Sequence, residues 1–189
     1  KYRWNRLLLL PLWVVVAFLA SNLFVGASLV LLDWLHLPLE SYVRPAIIQT
    51  VLATIIYVLT ISIVIGVPYL VKKRKTGLAT LGLDRLPTWI DIGLAPAGFI
   101  VYSLATTAVL AAAIAWIPGF PVDQVQDIGF KALGSRSDNI LAFATLVVLA
   151  PLAEETLFRG YLYGKLKGNV PAVWAAIATS LLFALAHFQ

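Results

Sequence analysis

The sequence predicts an all-α, polytopic transmembrane bundle of five helices, the fifth truncated, with its N-terminus in the cytoplasm. Three observations carry that prediction. Of 189 residues, 61% are apolar and 12% are charged, and the mean hydropathy is +0.91. A soluble domain has about 45–50% apolar and roughly 25% charged residues, so polar side chains are too few here to cover a globular surface. The apolar residues also fall in uncharged runs long enough to cross a bilayer, which takes about 20 residues. Finally, Lys and Arg are divided unevenly among the loops that separate those runs. A disulfide scaffold is excluded because there is no cysteine. The apolar excess excludes intrinsic disorder.

The first span is Leu7 to Leu32, without a formal charge. It is too long for the core of a signal peptide. Ala46 to Val71 is the second uncharged span, and the third runs from Ile92 to Ile117. The polar stretch 118–139 is the longest outer loop, with Pro118, Gly119, Pro121 and Gly134 as turn signals. The fourth helix starts near Ile140, capped by Asp138 or Asn139. Gly168-Asn169-Val170-Pro171 reads as a hairpin turn, with Pro171 opening the fifth helix.

Lys1, Arg3, Arg6, Lys72, Lys73, Arg74, Lys75, Arg85, Arg159, Lys165 and Lys167 fall on one side of this arrangement. The other side has Arg44, Lys131 and Arg136, together with Asp33, Glu40, Asp123, Asp127 and Asp138. The positive side is the cytoplasmic one. The net charge of +5 is thus mostly topology. Lys72 to Lys75 read first as a cytoplasmic anchor and second as a contact for anionic membrane lipids. Nucleic acid is not an expected partner, because the basic residues bracket spans and make no stacked aromatic face.

Four ionisable residues fall inside apolar runs: Glu154, Glu155, Arg159 and His187. Charge at membrane depth costs at least about 2.5–3.5 kcal/mol, so such groups face a protein interior and mark a function. Glu155 and Arg159 are four apart with the acid first, the favourable order for a helical ion pair. Glu154 points about 100° away around the helix and has no equally placed cation. A carboxylate without a dedicated partner is suited to take a proton from water. Counted from Asn169, Glu154 is 15 residues back and His187 is 18 forward, so their depths differ by about 4–5 Å. A shared site follows. Gly160, Gly164 and Gly168, and likewise Ala172, Ala176, Ser180 and Ala184, recur every four residues, the spacing that lets membrane helices approach closely. Both stripes predict contact between the fourth and fifth helices. Phe183 lies one turn before His187 on the same face.

Glu154-Glu155-x-x-x-Arg159 followed by Phe183-x-x-x-His187 resembles the first two motifs of the CPBP family, the CAAX proteases and bacteriocin-processing enzymes. The family includes the type II CAAX prenyl endopeptidases. Ala150-Pro151 before the acidic pair, Gly160 after the arginine and Leu81-Gly82-Leu83 ahead of the third span fit the same pattern. The resemblance implies an intramembrane endopeptidase acting on a membrane-associated protein or peptide, in a prokaryotic plasma membrane with the site toward the cytoplasm. By the same resemblance Glu154 activates the attacking water and His187 binds or polarises it and the oxyanion. Glu155, Arg159 and Phe183 support the site. If a divalent metal such as zinc is used, Glu154 and His187 are the ligands here, short of the three protein ligands that a catalytic zinc usually has.

Residues 1–138 are then three N-terminal transmembrane helices, and 139–189 the start of the protease core. A later His and Asn expected from the family do not occur. With no methionine and an end inside an apolar run, the chain is expected to be a piece of a longer protein. Two other classes remain: a non-catalytic scaffold or immunity-type protein of the same fold, and a small transporter with a Glu/His proton relay. Serine and aspartyl intramembrane proteolysis are disfavoured. Ser21, Ser28, Ser62, Ser103 and Ser180 lack a nucleophile setting, and no span holds two aspartates. His36 reads as an ordinary loop histidine.

Overall fold

The computed structural model describes residues 2–37, 39–73, 75–84, 86, 88–119, 130 and 133–187, with the backbone alone for Glu40 and Asp91. Lys1, Arg74, Arg85, Asp123, Asp127 and Lys131 of the charge pattern, and Pro121 of the turn signals, lie outside the described residues. The described elements are helical. α1 is Arg6–Trp34, α2 Pro45–Lys72, α3 Leu78–Leu81 and α4 Trp89–Trp116. α5 is one helical rod, Arg136–Lys167, and α6 is the shorter apolar helix Ala172–Ala186. Four helices are long and apolar enough to cross a membrane. The protein is an all-α, multi-pass membrane protein.

Two compact units divide the chain: residues 1–84 with 128–189, and residues 85–127. The second contains α4, an apolar helix with Pro96 in its interior. In the first, α1, α2, α5 and α6 meet in a core of Val14, Ala17, Val64, Leu157, Leu162 and Leu166, with their apolar neighbours. Large apolar side chains such as Leu8, Leu23, Phe24, Leu70 and Leu181 remain exposed, as a hydrocarbon surrounding requires. Polar links cross between helices inside this unit. The Thr60 and Ser21 hydroxyl oxygens lie 3.0 Å apart, and so do those of Thr145 and Thr50. Trp13 Nε1 donates to the Val64 carbonyl at 3.3 Å, holding α1 to α2.

The start of α5 differs from the sequence expectation. Ser135 is the N-cap, and its hydroxyl accepts the backbone N–H of Asp138 at 3.2 Å. Asp138 lies in the first turn instead of capping it, and its carboxylate pairs with Arg44 at 2.7 Å. A serine cap leaves the acid free to meet the cation arriving from the loop before α2.

α5 is not a uniform α-helix. It passes through π-helical turns at Ala144–Leu149 and Glu155–Leu162. Pro151 supplies no N–H to the preceding turn, which loosens the ladder between the two segments. Thr145 and Thr156 hydroxyls donate back to the carbonyls of Leu141 and Leu152, a bond that bends helices.

The glycine stripe of α5 also meets a different partner from the one expected. A Cβ at Gly160 would collide with the backbone carbonyl of Leu81, and one at Gly164 would stand 2.7 Å from the carbonyl of Thr80. The space that the glycines leave is filled by α3, not by the small residues of α6. α3 ends at Gly82, whose φ of +70° suits glycine, with Leu83 N–H bonded to the Leu78 carbonyl at 3.0 Å. The Leu81-Gly82-Leu83 triplet is therefore the stop signal of a short helix seated on α5.

Candidate active site

α5 carries Glu154 18 residues from its start and 13 from its end, roughly 27 and 20 Å along the axis. Because α6 runs back beside α5 after a tight turn, His187 returns to the same level. The His187 Nε2 to Glu154 Oε2 distance is 3.7 Å. That is too long for a direct hydrogen bond and close enough for both groups to touch one small molecule. Glu154 and His187 side chains are 21% and 42% exposed, so the pair is partly open.

The orientation of each group is fixed from behind. Tyr57, in the middle of α2, donates its hydroxyl to Glu154 Oε1 at 2.7 Å. This occupies one carboxylate oxygen and leaves the other toward His187. His187 Nδ1 lies 2.8 Å from the Phe183 carbonyl. A carbonyl only accepts, so Nδ1 carries the proton in this contact and Nε2 faces the carboxylate. The Phe183 ring lies against the imidazole, centroids 4.3 Å apart, and Phe158 of α5 packs edge-on to Phe183 at 5.2 Å. These aromatic contacts hold α6 against α5 at the depth of the site.

Glu155 and Arg159 form the expected pair at 3.1 Å. Their setting is more open than the sequence led us to expect: Arg159 is 80% exposed and Glu155 49%. The two side chains border a cavity of about 130 Å³ that Glu154, Thr179, Ser180 and Phe183 also line. Arg159, Thr179 and Ser180 continue into a groove of about 640 Å³ formed with Thr80, Gly160 and Gly164. Glu154, Glu155, Arg159, Phe183 and His187 are thus gathered in one region, and small residues pave the way into it.

Tyr57 was not expected from the sequence. Its signal was a phenol in the middle of an apolar span, where a buried hydroxyl needs a partner at its own depth. His36 lies in the turn after α1 and does not reach this region. For a metal, Glu154 and His187 offer two donors, and Glu155 is already engaged by Arg159. Among the described residues no group of three or more His, Cys, Asp or Glu could hold an ion. The described donors therefore do not fit a catalytic zinc, which usually takes three protein ligands.

The model of one protein family, Type II CAAX prenyl endopeptidase Rce1-like, matches residues 136–189. That segment comprises α5 and α6, and so contains Glu154, Glu155, Arg159, Phe183 and His187. Over 57 residues, 29% of its length, the chain is 46% identical to an Escherichia coli protein described as an uncharacterized 24.3 kDa protein. The match spans about a quarter of that relative, 26% of its length. No solved structure matches the chain. Tyr57 and the glycine-seated α3 lie outside the matched residues and are packed against them from the preceding helices.

Proposed function

We propose that the chain is part of an intramembrane endopeptidase in which Glu154 is the general base. The observation that supports this most directly is the convergence of Tyr57, Glu154 and His187 from α2, α5 and α6 on one partly open point. In this reading Glu154 Oε2 takes a proton from water as the water oxygen bonds to the carbonyl carbon of the scissile peptide. The carbonyl π electrons pass to oxygen, and His187 in its imidazolium form donates from Nε2 to that oxyanion. Glu154 then gives the proton to the departing nitrogen, the C–N bond breaks, and the carboxylate is restored. Tyr57 holds Oε1 throughout, so that Oε2 faces the water. General acid–base catalysis of this kind contributes about 10²–10⁴-fold.

The substrate is a membrane-associated protein or peptide, such as a prenylated CAAX tail or a leader peptide. The groove of about 640 Å³ beside Gly160 and Gly164 gives an extended segment a way to Arg159 and the cavity behind it. The site faces the cytoplasm of a prokaryotic plasma membrane, the side on which the basic helix ends lie.

The test uses the full-length protein. Membranes of a deletion strain complemented with the parent or with Glu154→Gln are compared by mass spectrometry of protein termini. Precursors processed in the parent should accumulate with Glu154→Gln as they do in the deletion, at unchanged levels of folded protein. Normal processing by Glu154→Gln would overturn the proposal.

A further inference from the structure

Far from Glu154, at the end of the bundle where α1 begins and α2 and α5 finish, lies a cleft of about 380 Å³. Arg3 and Arg6 reach it from the N-terminal segment and α1, Lys72 from the last turn of α2 and Lys165 from the last turns of α5. Among the described residues no acidic side chain lines it. None of these four cations has an ion-pair partner among the described residues, although Lys165 also lies 5.9 Å over the Tyr161 ring. Three separate stretches of sequence thus deliver four positive charges to one concavity, without a neutralising group among the described residues. Such an arrangement is repulsive unless an anion completes it.

The opposite wall is apolar. Leu9, Leu10, Trp13, Val67 and Val71 line it, and Leu9 and Val71 are themselves exposed on the outside of α1 and α2. A small soluble anion would use the charges and gain nothing from that wall. Rings typical of a membrane–water boundary lie at the same end of the bundle. Tyr2 packs on Trp4 and Trp4 on Trp174, and Lys73 and Lys167 sit over Tyr69 and Tyr163. Charge, greasy wall and aromatic rim coincide at one level.

We propose that this cleft binds one anionic phospholipid, its headgroup phosphate among Arg6, Lys72 and Lys165 and an acyl chain along Leu9, Val67 and Val71. Arg3 closes the headgroup from above, since its backbone N–H is fixed to the Asn169 carbonyl at 2.8 Å. The lipid joins the start of α1 to the ends of α2 and α5. This assignment is independent of the endopeptidase reading, and either can fail without the other.

Native mass spectrometry and thermal unfolding of the full-length protein in neutral detergent test it, with phosphatidylglycerol, phosphatidylcholine or inorganic phosphate added. The parent should retain one phosphatidylglycerol and melt higher with it, and respond little to phosphatidylcholine or phosphate. The variant Arg6→Gln/Lys72→Gln/Lys165→Gln should lose affinity on the order of 100-fold, taking about 1 kcal/mol for each basic residue near a lipid surface. Should the triple variant not fold, Arg6→Gln and Lys165→Gln alone should each weaken binding about five-fold. Lys73→Gln/Lys75→Gln, outside the cleft, should weaken it less than either. Equal loss from that control pair would mean diffuse charge rather than a site and would overturn the proposal. So would equal stabilisation by inorganic phosphate or by phosphatidylcholine.

Discussion

Asp138 and Glu154 are carried by the same rod, 16 residues apart, and their surroundings are opposite in kind. Asp138 is closed off. Its side chain is 7% exposed, Arg44 pairs with it at 2.7 Å, and the same guanidinium donates to Ser135 and Ser137 at 2.8 and 2.9 Å. Glu154 has one short bond from Tyr57 and a neighbour at 3.7 Å, and it opens onto a cavity. The first acid is taken up by an ion pair that joins the start of α2 to the start of α5. The second keeps an oxygen in reserve. A membrane protein can thus bury one carboxylate as a rivet and hold another ready for exchange with water, using the same helix for both.

Arg44→Ala is expected to be the most damaging change to stability. It strands Asp138, and breaking a buried pair costs about 3–5 kcal/mol; with Arg44 half exposed, about 2–3 kcal/mol is expected. Thermal unfolding in detergent should show it, and the remaining folded protein should keep its turnover. A loss of turnover without a loss of stability would erase the distinction between the two acids. Tyr57→Phe should do the reverse. It frees the Glu154 carboxylate to turn, so cleavage should fall about 10–100-fold in kcat with KM nearly unchanged, and because water can replace the lost bond at a partly open site the melting temperature should fall less than for Arg44→Ala. An unaltered kcat would mean that Tyr57 does not orient the carboxylate. Arg159→Gln should have the smallest effect on stability, within about 0–1 kcal/mol, because the pair with Glu155 is exposed. A drop in melting temperature as large as that of Arg44→Ala would show that the Glu155–Arg159 pair is a second rivet.

Much of this contrast was legible in the sequence, and the reasons for the gaps are specific. The span lengths follow from hydropathy, and the meeting of Glu154 with His187 follows from counting rise on either side of Asn169, since helical depth is nearly linear in residue number. What failed depended on the rotation of one helix against another or on a third element. The glycines at 160 and 164 correctly announced a close approach, but spacing alone does not say whose backbone arrives, and α3 does so before α6 can. Ser135, Asp138 and Asn139 are equally good cap residues by type, and Arg44, 94 positions from Asp138, decides in favour of the serine. The π turns left no separate mark beyond Pro151 and two threonines. Tyr57 needed the register of α2 against α5, which periodicity in an all-apolar helix does not encode.

Four residues are too few to sustain a helix in isolation, because the first turn costs more order than its hydrogen bonds return. α3 therefore exists only while Gly160 and Gly164 accept its carbonyls. Its amides become a built-in reporter: in hydrogen–deuterium exchange, the protection of Leu83 N–H should rise and fall with the docking of α5, and substituting Gly160 by a larger residue should release that amide to solvent while the cores of α1 and α2 stay protected.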